Sequence, residues 1–326
     1  MATEVDVSAQ HTLAELAKRT FNKETLDIAN VLAKLSPVIK DAQWYEANGL
    51  TEHVHTRAAA LASGTWRRIN EGVVPDAAQT EQITEPICYL EDRSEIDELL
   101  LKLNPEPKKY RYEEDLLHLE GLAQQIETAF FNSDRSTDPD TPNGLAYRYT
   151  ATSLSNVFGA GGTGDDTHSA WMVKWGKNAL HLVYPRNSKT LGIQRNDKGL
   201  ERVTTSTTTQ AALYKWVTQF VFNMGIVVRD DRAVQRLANI EPSGQSYIVN
   251  ENYLIEMYNN ILVAFGDMSG VVLYVSSAVK TQLDIVAKDK PNLIHTMTDP
   301  FGKPVTAFWD IPIRVSGNLT AETTIS

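Results

Sequence analysis

Apolar positions recur first at helical and later at strand spacing along this chain. Within 12–35 they predict two short amphipathic helices: Leu13, Leu16 and Ala17 share one face, and Ile28, Val31, Leu32 and Leu35 another. Thr12 and Thr25 are the expected N-caps, and Pro37 follows the second helix. Stripes this short must find a partner surface on the body or on another subunit. Residues 50–90 change character, with β-leaning pieces broken by Gly64, Gly72, Pro75 and Pro86 and few large apolar anchors. They predict a long two-stranded excursion turning near Asn70–Asp76. A ribbon with so thin an apolar face must lie against something else, such as a neighbouring chain.

The clearest helix follows. Tyr112, Leu116, Leu119, Ala123, Ile126 and Phe130 recur at steps of four and three, predicting a helix over 110–132 of about 30 Å. Pro105 and Pro107 precede it, and the turn-rich SDRSTDPDTPNG follows. Beyond it strands and helices alternate. SAWMVKW and ALHLVY read as strands joined by Gly176-Lys177-Asn178, and Tyr214, Trp216, Thr218, Phe220 and Phe222 alternate along another. Asp231–Ile240 reads as helical. Asn250 opens a helix with Leu254, Tyr258, Ile261, Leu262 and Phe265 on one side. VVLYV is a buried strand, Ser276 or Ser277 caps a helix, and PVTAF and IPIRV are closing strands. The class is α+β. No solenoid repeat occurs, and the only biased tract is TTSTTT at 204–209.

Composition narrows the function classes. With 326 residues, 42% hydrophobic and 22% charged, the chain has the balance of a folded protein with a substantial core. Lys and Arg number 31 against 41 Asp and Glu, a formal charge of −10. Such a chain lacks the phosphate-neutralising footprint of a duplex reader: it can sit near DNA without gripping it. The single Cys88 cannot close an intrachain disulfide or build a cysteine-based zinc site. MATEVDVSAQ is not expected to act as a signal peptide, and no segment has the roughly 18 apolar residues of a membrane span.

Candidate chemistry is sparse. Gly159, Gly161 and Gly164 spell G-x-G-x-x-G, but the stretch before them is polar and the one after reads as a strand. Asp165 and Asp166 would also oppose a phosphate, so the segment reads as a tightly turning loop. His53 and His55 share a strand face that can suit a metal, with no third ligand evident nearby in sequence. Asp134, Asp138, Asp140 and Gly144 lack calcium-loop spacing and fit turn chemistry. His118 has no obvious nucleophile beside it, no G-x-S-x-G elbow exists, and Cys88 has no catalytic signature. The expectation is no catalytic residue, no cofactor and no metal. Trp66, Arg67 and Arg68, in the middle of the β excursion, have the composition of an interface. With Leu13 and Leu16 they are the candidate intersubunit contacts.

Several strings resemble the major capsid proteins of tailed bacteriophages, closest to the short-tailed group with the Hong Kong 97-like fold. They are NGLAYRYT (143–150), NVFGAGGTGDDTHSAWMVKWGKNALHLVYP (156–185), GIVVRDDRAVQRLANI (225–240), and the closing VVLYVSSAVKTQLDIVAKD with FGKPVTAFWDIPIRVSGNLT. The resemblance implies an N-terminal arm (1–48), an extended β loop (49–92), a peripheral domain (93–210) with a spine helix (110–132), an axial domain (211–300), and strands returning to the peripheral domain (301–326). Strand connectivity is left open, because some members rearrange it.

By the same resemblance the chain is a structural subunit. Its hexamers and pentamers form an icosahedral head around double-stranded DNA, assembled in the bacterial cytoplasm with a scaffolding protein, a portal and a cement protein. An encapsulin-type compartment is the alternative, and a nucleotide-binding enzyme using Gly159–Gly164 is the disfavoured rival. Some capsids of this fold weld subunits through a lysine on the extended loop. No Lys occurs here between Lys40 and Lys102, so no such cross-link is expected. About 45 residues precede the loop, too few for a scaffolding domain, so the scaffold is expected to be a separate protein.

Overall fold

Strands and helices alternate in the computed structural model, which describes residues 20–21, 24–25, 36–188, 192–204, 212–243, 246–289, 294–298 and 304–326. Described residues within 1–34, 89–126 and 189–223 form one compact unit, and those within 35–88, 127–188 and 224–326 a second. The helix Pro107–Asn132 and the strand Ala212–Val228 contribute to both.

In the first unit the strand Gln194–Thr204 pairs antiparallel with residues 212–221, with a register shift at Asp197/Gly199. Its small apolar core is Ile96, Leu100, Leu101 and Tyr110, with Trp216 packed on it. Here the helix departs from its sequence reading. Tyr112 is 64% exposed and Leu116 46%, while the buried line includes Tyr110, Glu114, Asp115 and Leu122. Ion pairing explains the rotation. Arg195 meets buried Asp115 at 2.5 Å, and Glu114 faces His118 at 3.5 Å. A count of apolar residues along one helix does not register partners brought by another element.

The second unit is built on a seven-stranded sheet in the order Ile294–Thr298, Pro304–Phe308, Ile311–Val315, Val271–Val275, His168–Lys174, Val234–Ile240, Val157–Gly159. Two helices, Glu251–Phe265 and Ser277–Asp289, pack on it. Leu254, Met257 and Ile261 from one and Val279 and Leu283 from the other join Met172, Leu237 and Leu273 in the core. The first helix is capped as its sequence predicts: Asn250 Oδ1 accepts from the Asn252 N–H at 2.9 Å, and Gly266 ends it at φ +76°. The strand Leu180–Tyr184 joins another sheet, antiparallel to residues 225–228 and parallel to Trp44–Glu46.

Two segments correct the sequence reading. Asp231–Ile240 is no α-helix; after one 3₁₀ turn, Asp231–Ala233, residues 234–240 form a strand buried at every position. A strand pairs with it on each edge, and its polar residues find partners inside. Gln235 donates to the Arg232 carbonyl, Asn239 exchanges two hydrogen bonds with the Ile325 backbone, and Arg236 pairs with Glu322. Those polar positions imitate a helical period. In the arm, Thr20–Phe21 pairs antiparallel with Glu24–Thr25, so Thr25 is a strand residue and not an N-cap. The other positions of the two expected helices, Leu13 and Leu16 among them, lie outside the described residues.

The chain-order boundaries at 210/211 and 300/301 each fall between paired strands, Gln194–Thr204 with Ala212–Val228 and Ile294–Thr298 with Pro304–Phe308.

Arg236 is 3% exposed, lies 4.8 Å over the Trp171 ring, and donates to the Tyr149 carbonyl, Ser169 Oγ and Glu322. Removing the Glu322 carboxylate leaves a buried cation uncompensated, a change that costs roughly 3–5 kcal/mol. Glu322→Ala is expected to lower the urea midpoint sharply, and Glu322→Gln less, because the amide still accepts a hydrogen bond. Tryptophan fluorescence across a urea series reads both.

Candidate assembly surface

The excursion expected over 50–90 is an antiparallel pair, Glu52–Ala60 with Gln79–Pro86, with His55 opposite Ile83. Its root is fastened by charge. Arg148 forks onto the two oxygens of buried Glu85 at 2.7 and 2.8 Å and also reaches the Ile226 carbonyl. Arg57, on the opposite strand, bridges Glu81 at 3.0 Å and Asp231 at 2.8 Å. The Asn48 side chain accepts from the Val54 N–H and donates to its carbonyl, at 2.8 and 2.6 Å. Gly225 permits the close approach. A Cβ there would stand 2.8 Å from the Val183 side chain and 2.9 Å from the Pro86 carbonyl oxygen.

The far end has no such shelter. Residues 61–80 are exposed throughout; Trp66 is bare, and Leu61, Ile69 and Val74 are more than four-fifths exposed. The segment is ordered by its own hydrogen bonds. The Ser63 N–H and Oγ donate to Asp76, the Glu71 N–H donates to the Arg68 carbonyl, and Arg67 donates to the Glu71 carbonyl at 2.9 Å. Asn70 takes φ +70° in that turn. The structure thus brings Trp66, Arg67 and Arg68 together on one exposed turn.

At the hairpin root a cavity of about 770 Å³ is lined by His53, His55, Lys177, His181 and Arg229 among others. The His53 and His55 rings are stacked 6.1 Å apart, and His181 stands edge-on 6.2 Å from His53. His181 was not legible as a third imidazole, because its strand lies far along the chain. Among the described residues no group of three or more His, Cys, Asp or Glu could hold a metal ion. Burial pushes His181 down to about 4, with repulsion from His53 and Arg229 adding to it and the Gly176 backbone opposing. Burial also lowers His53 and His55. His118 is the reverse case. Its contact with Glu114 and its 2.5 Å contact with Asp92 raise it to about 9, against the effect of burial, so it is a structural cation.

The glycine-rich loop is engaged with its own protein. The strand Val157–Gly159 leads into it, but the next element is the strand His168–Lys174, not a helix. Its amides are occupied: Ala160 N–H donates to Ala238, Gly162 N–H to Asn239, and Thr163 N–H to the Glu241 carboxylate. A phosphate would find those donors used and a carboxylate in its place. In the turn-rich segment, Asp134 accepts from Ser136 and Asp138 from Asp140, the turn chemistry expected there.

A family model described as major capsid protein GP7 matches residues 21–325. Among solved structures, the chain is similar to that of bacteriophage Epsilon15, with a TM-score of 0.73 and 22% identity over 97% of each chain. The bacteriophage JBD30 capsid follows at a TM-score of 0.46 and 14% identity, over 95% of this chain and 99% of that one. An encapsulin complex from Synechococcus elongatus gives 0.43 and 10%, over 72% and 96%. The first likeness shows the fold; the other two scores are too low to add to it. None of the curated proteins matches the chain.

His181 generates a pH prediction. As pH falls from about 6.5 to about 4, the unfolded chain takes up a proton that the folded chain refuses, so stability falls over that window. His181→Asn is expected to flatten that acid limb in melting temperatures measured from pH 7 to 4. An unchanged slope would remove the assignment.

Proposed function

The chain belongs to the major capsid protein GP7 family and is a shell subunit of a phage head with the Hong Kong 97-like fold, and from this premise we propose that the hairpin tip is a contact between its copies. The observation that carries the proposal is a bare Trp66, flanked by Arg67 and Arg68, on a ribbon whose root is held by Arg148 and Arg57. Trp and Arg are the residues that dominate such contacts once a partner desolvates them. An anchored root with an unsheltered tip suits a limb whose apolar side chains are buried by a neighbour.

In this reading 1–48 is the arm, with Leu13 and Leu16 as further contacts, and 49–92 is the extended loop. The spine helix belongs to the peripheral domain, 93–210 with the returning strands of 301–326, and 211–300 is the axial domain; paired strands cross both later boundaries. The many copies assemble as hexamers and pentamers in the host cytoplasm, with a separate scaffolding protein, a portal and a cement protein. The role is structural, with no catalytic centre. A net charge of −10 lets double-stranded DNA lie inside without being gripped. The family favours a phage head over an encapsulin-type compartment, and packaged DNA in place of enzyme cargo separates the two.

Trp66→Ala with Arg67→Glu and Arg68→Glu is expected to change stability by no more than about 0.5 kcal/mol per site, as exposed substitutions do. The same variant is expected to lose particle formation, read by sedimentation and electron microscopy. Normal particles from it would sink the contact. Because no Lys lies between Lys40 and Lys102, mature particles are expected to run as one monomer band on a denaturing gel. A ladder of covalent multimers would overturn that expectation.

A further inference from the structure

At the hairpin root two buried imidazoles line a cavity together with two side-chain cations. His55 is 6% exposed and has only the Val228 backbone close by, outside good hydrogen-bond geometry, while His181, 3% exposed and engaged by the Gly176 backbone, has an unpartnered Nδ1. Buried polar groups are nearly always paired, so two incompletely paired imidazoles lining one cavity point to a group that enters it. Lys177 and Arg229 line the same space, Arg229 donating one arm to Asn178 Oδ1 at 3.3 Å. The one carboxylate in the lining, Glu46, accepts from the Asn187 N–H at 2.8 Å, and Glu85 is held by Arg148. The lining is rich in positive charge and poor in free acceptors.

We propose that this cavity is an anion pocket that takes a carboxylate side chain from a second copy of the chain. Guanidinium and ammonium groups converging on a carboxylate make the shorter, stronger class of hydrogen bond. A second copy is the occupant that charge favours. Each copy carries 41 carboxylate residues against 31 Lys and Arg, so it meets a cationic cavity with an excess of the required group. A shell also holds copies side by side, which raises the effective concentration of any such side chain. A carboxylate inside would offset the repulsion among His53, His55, His181 and Arg229 that helps keep these imidazoles neutral. The inference rests on the many-copy shell and is independent of the hairpin tip.

A zero-length cross-link tests it. Particles are assembled from a mixture of heavy-isotope-labelled and unlabelled full-length chains and treated with a water-soluble carbodiimide, which joins an amine directly to a carboxylate it touches. Exposed Lys177 supplies the amine. Peptide mass spectrometry is expected to find Lys177 linked to an Asp or Glu as mixed-isotope pairs, in particles and not in the unassembled chain. In particles of Arg229→Gln the yield of that link is expected to drop. Lys177 left unlinked, linked only within its own copy, or linked to a different protein overturns the pocket and leaves the hairpin contact standing. An undiminished yield in Arg229→Gln overturns it as well. Chains that form no particles under any condition overturn the shell reading beneath it.

Discussion

The fork of Arg148 onto buried Glu85 holds the root of a two-stranded ribbon that could not stand by itself in water. Together with Arg57 on Asp231 it ties both strands of the ribbon to the rest of the second unit. Beyond that root the tip, residues 61–78, is held by hydrogen bonds such as Ser63 to Asp76 and carries a bare Trp66. A bidentate, desolvated ion pair is directional as well as strong, so it sets where the ribbon points. In a subunit whose bonds are made with other subunits, direction at the root becomes position at the tip.

The same economy of charge recurs inside the body. Arg236 crosses the interior of a strand buried at every position because Glu322, Ser169 and Tyr149 meet it there. Asp115 is buried on the long helix because Arg195 reaches it. Glu127 has no such cation. It is wholly buried, and burial pushes it up to about 7, opposed by hydrogen bonding from the side chains of Ser316, Ser36 and Asn318. A carboxyl that stays protonated near neutrality avoids most of the cost of a buried charge.

These pairings mark where sequence reading succeeds and fails. The caps at Asn250 and Ser276 were legible, because each acts on an N–H two or three residues away. The strands around Trp171 and Leu273 were legible as nearly unbroken apolar runs. Asp231–Ile240 was misread because its polar residues are satisfied by groups distant in sequence, among them Glu322 and Ile325. The stripe of Tyr112 and Leu116 marked the helix correctly but not its buried face, since both residues are exposed. The turn near Asn70 was legible from its breakers; His181, the third imidazole of the root cavity, was not.

Periodicity, capping and turn chemistry act over a few residues, and so the sequence alone determined the α+β class, the long helix, the ribbon and the exclusion of a dinucleotide loop. Its longer strings also carried the likeness to a capsid family. Which carboxylates are buried, which face of the helix looks outward, and which histidines share a cavity were decided only by tertiary structure. Each of these depends on a charge or hydrogen-bond partner supplied from another part of the chain, and Coulomb attraction and desolvation follow distance in space, not separation along the sequence.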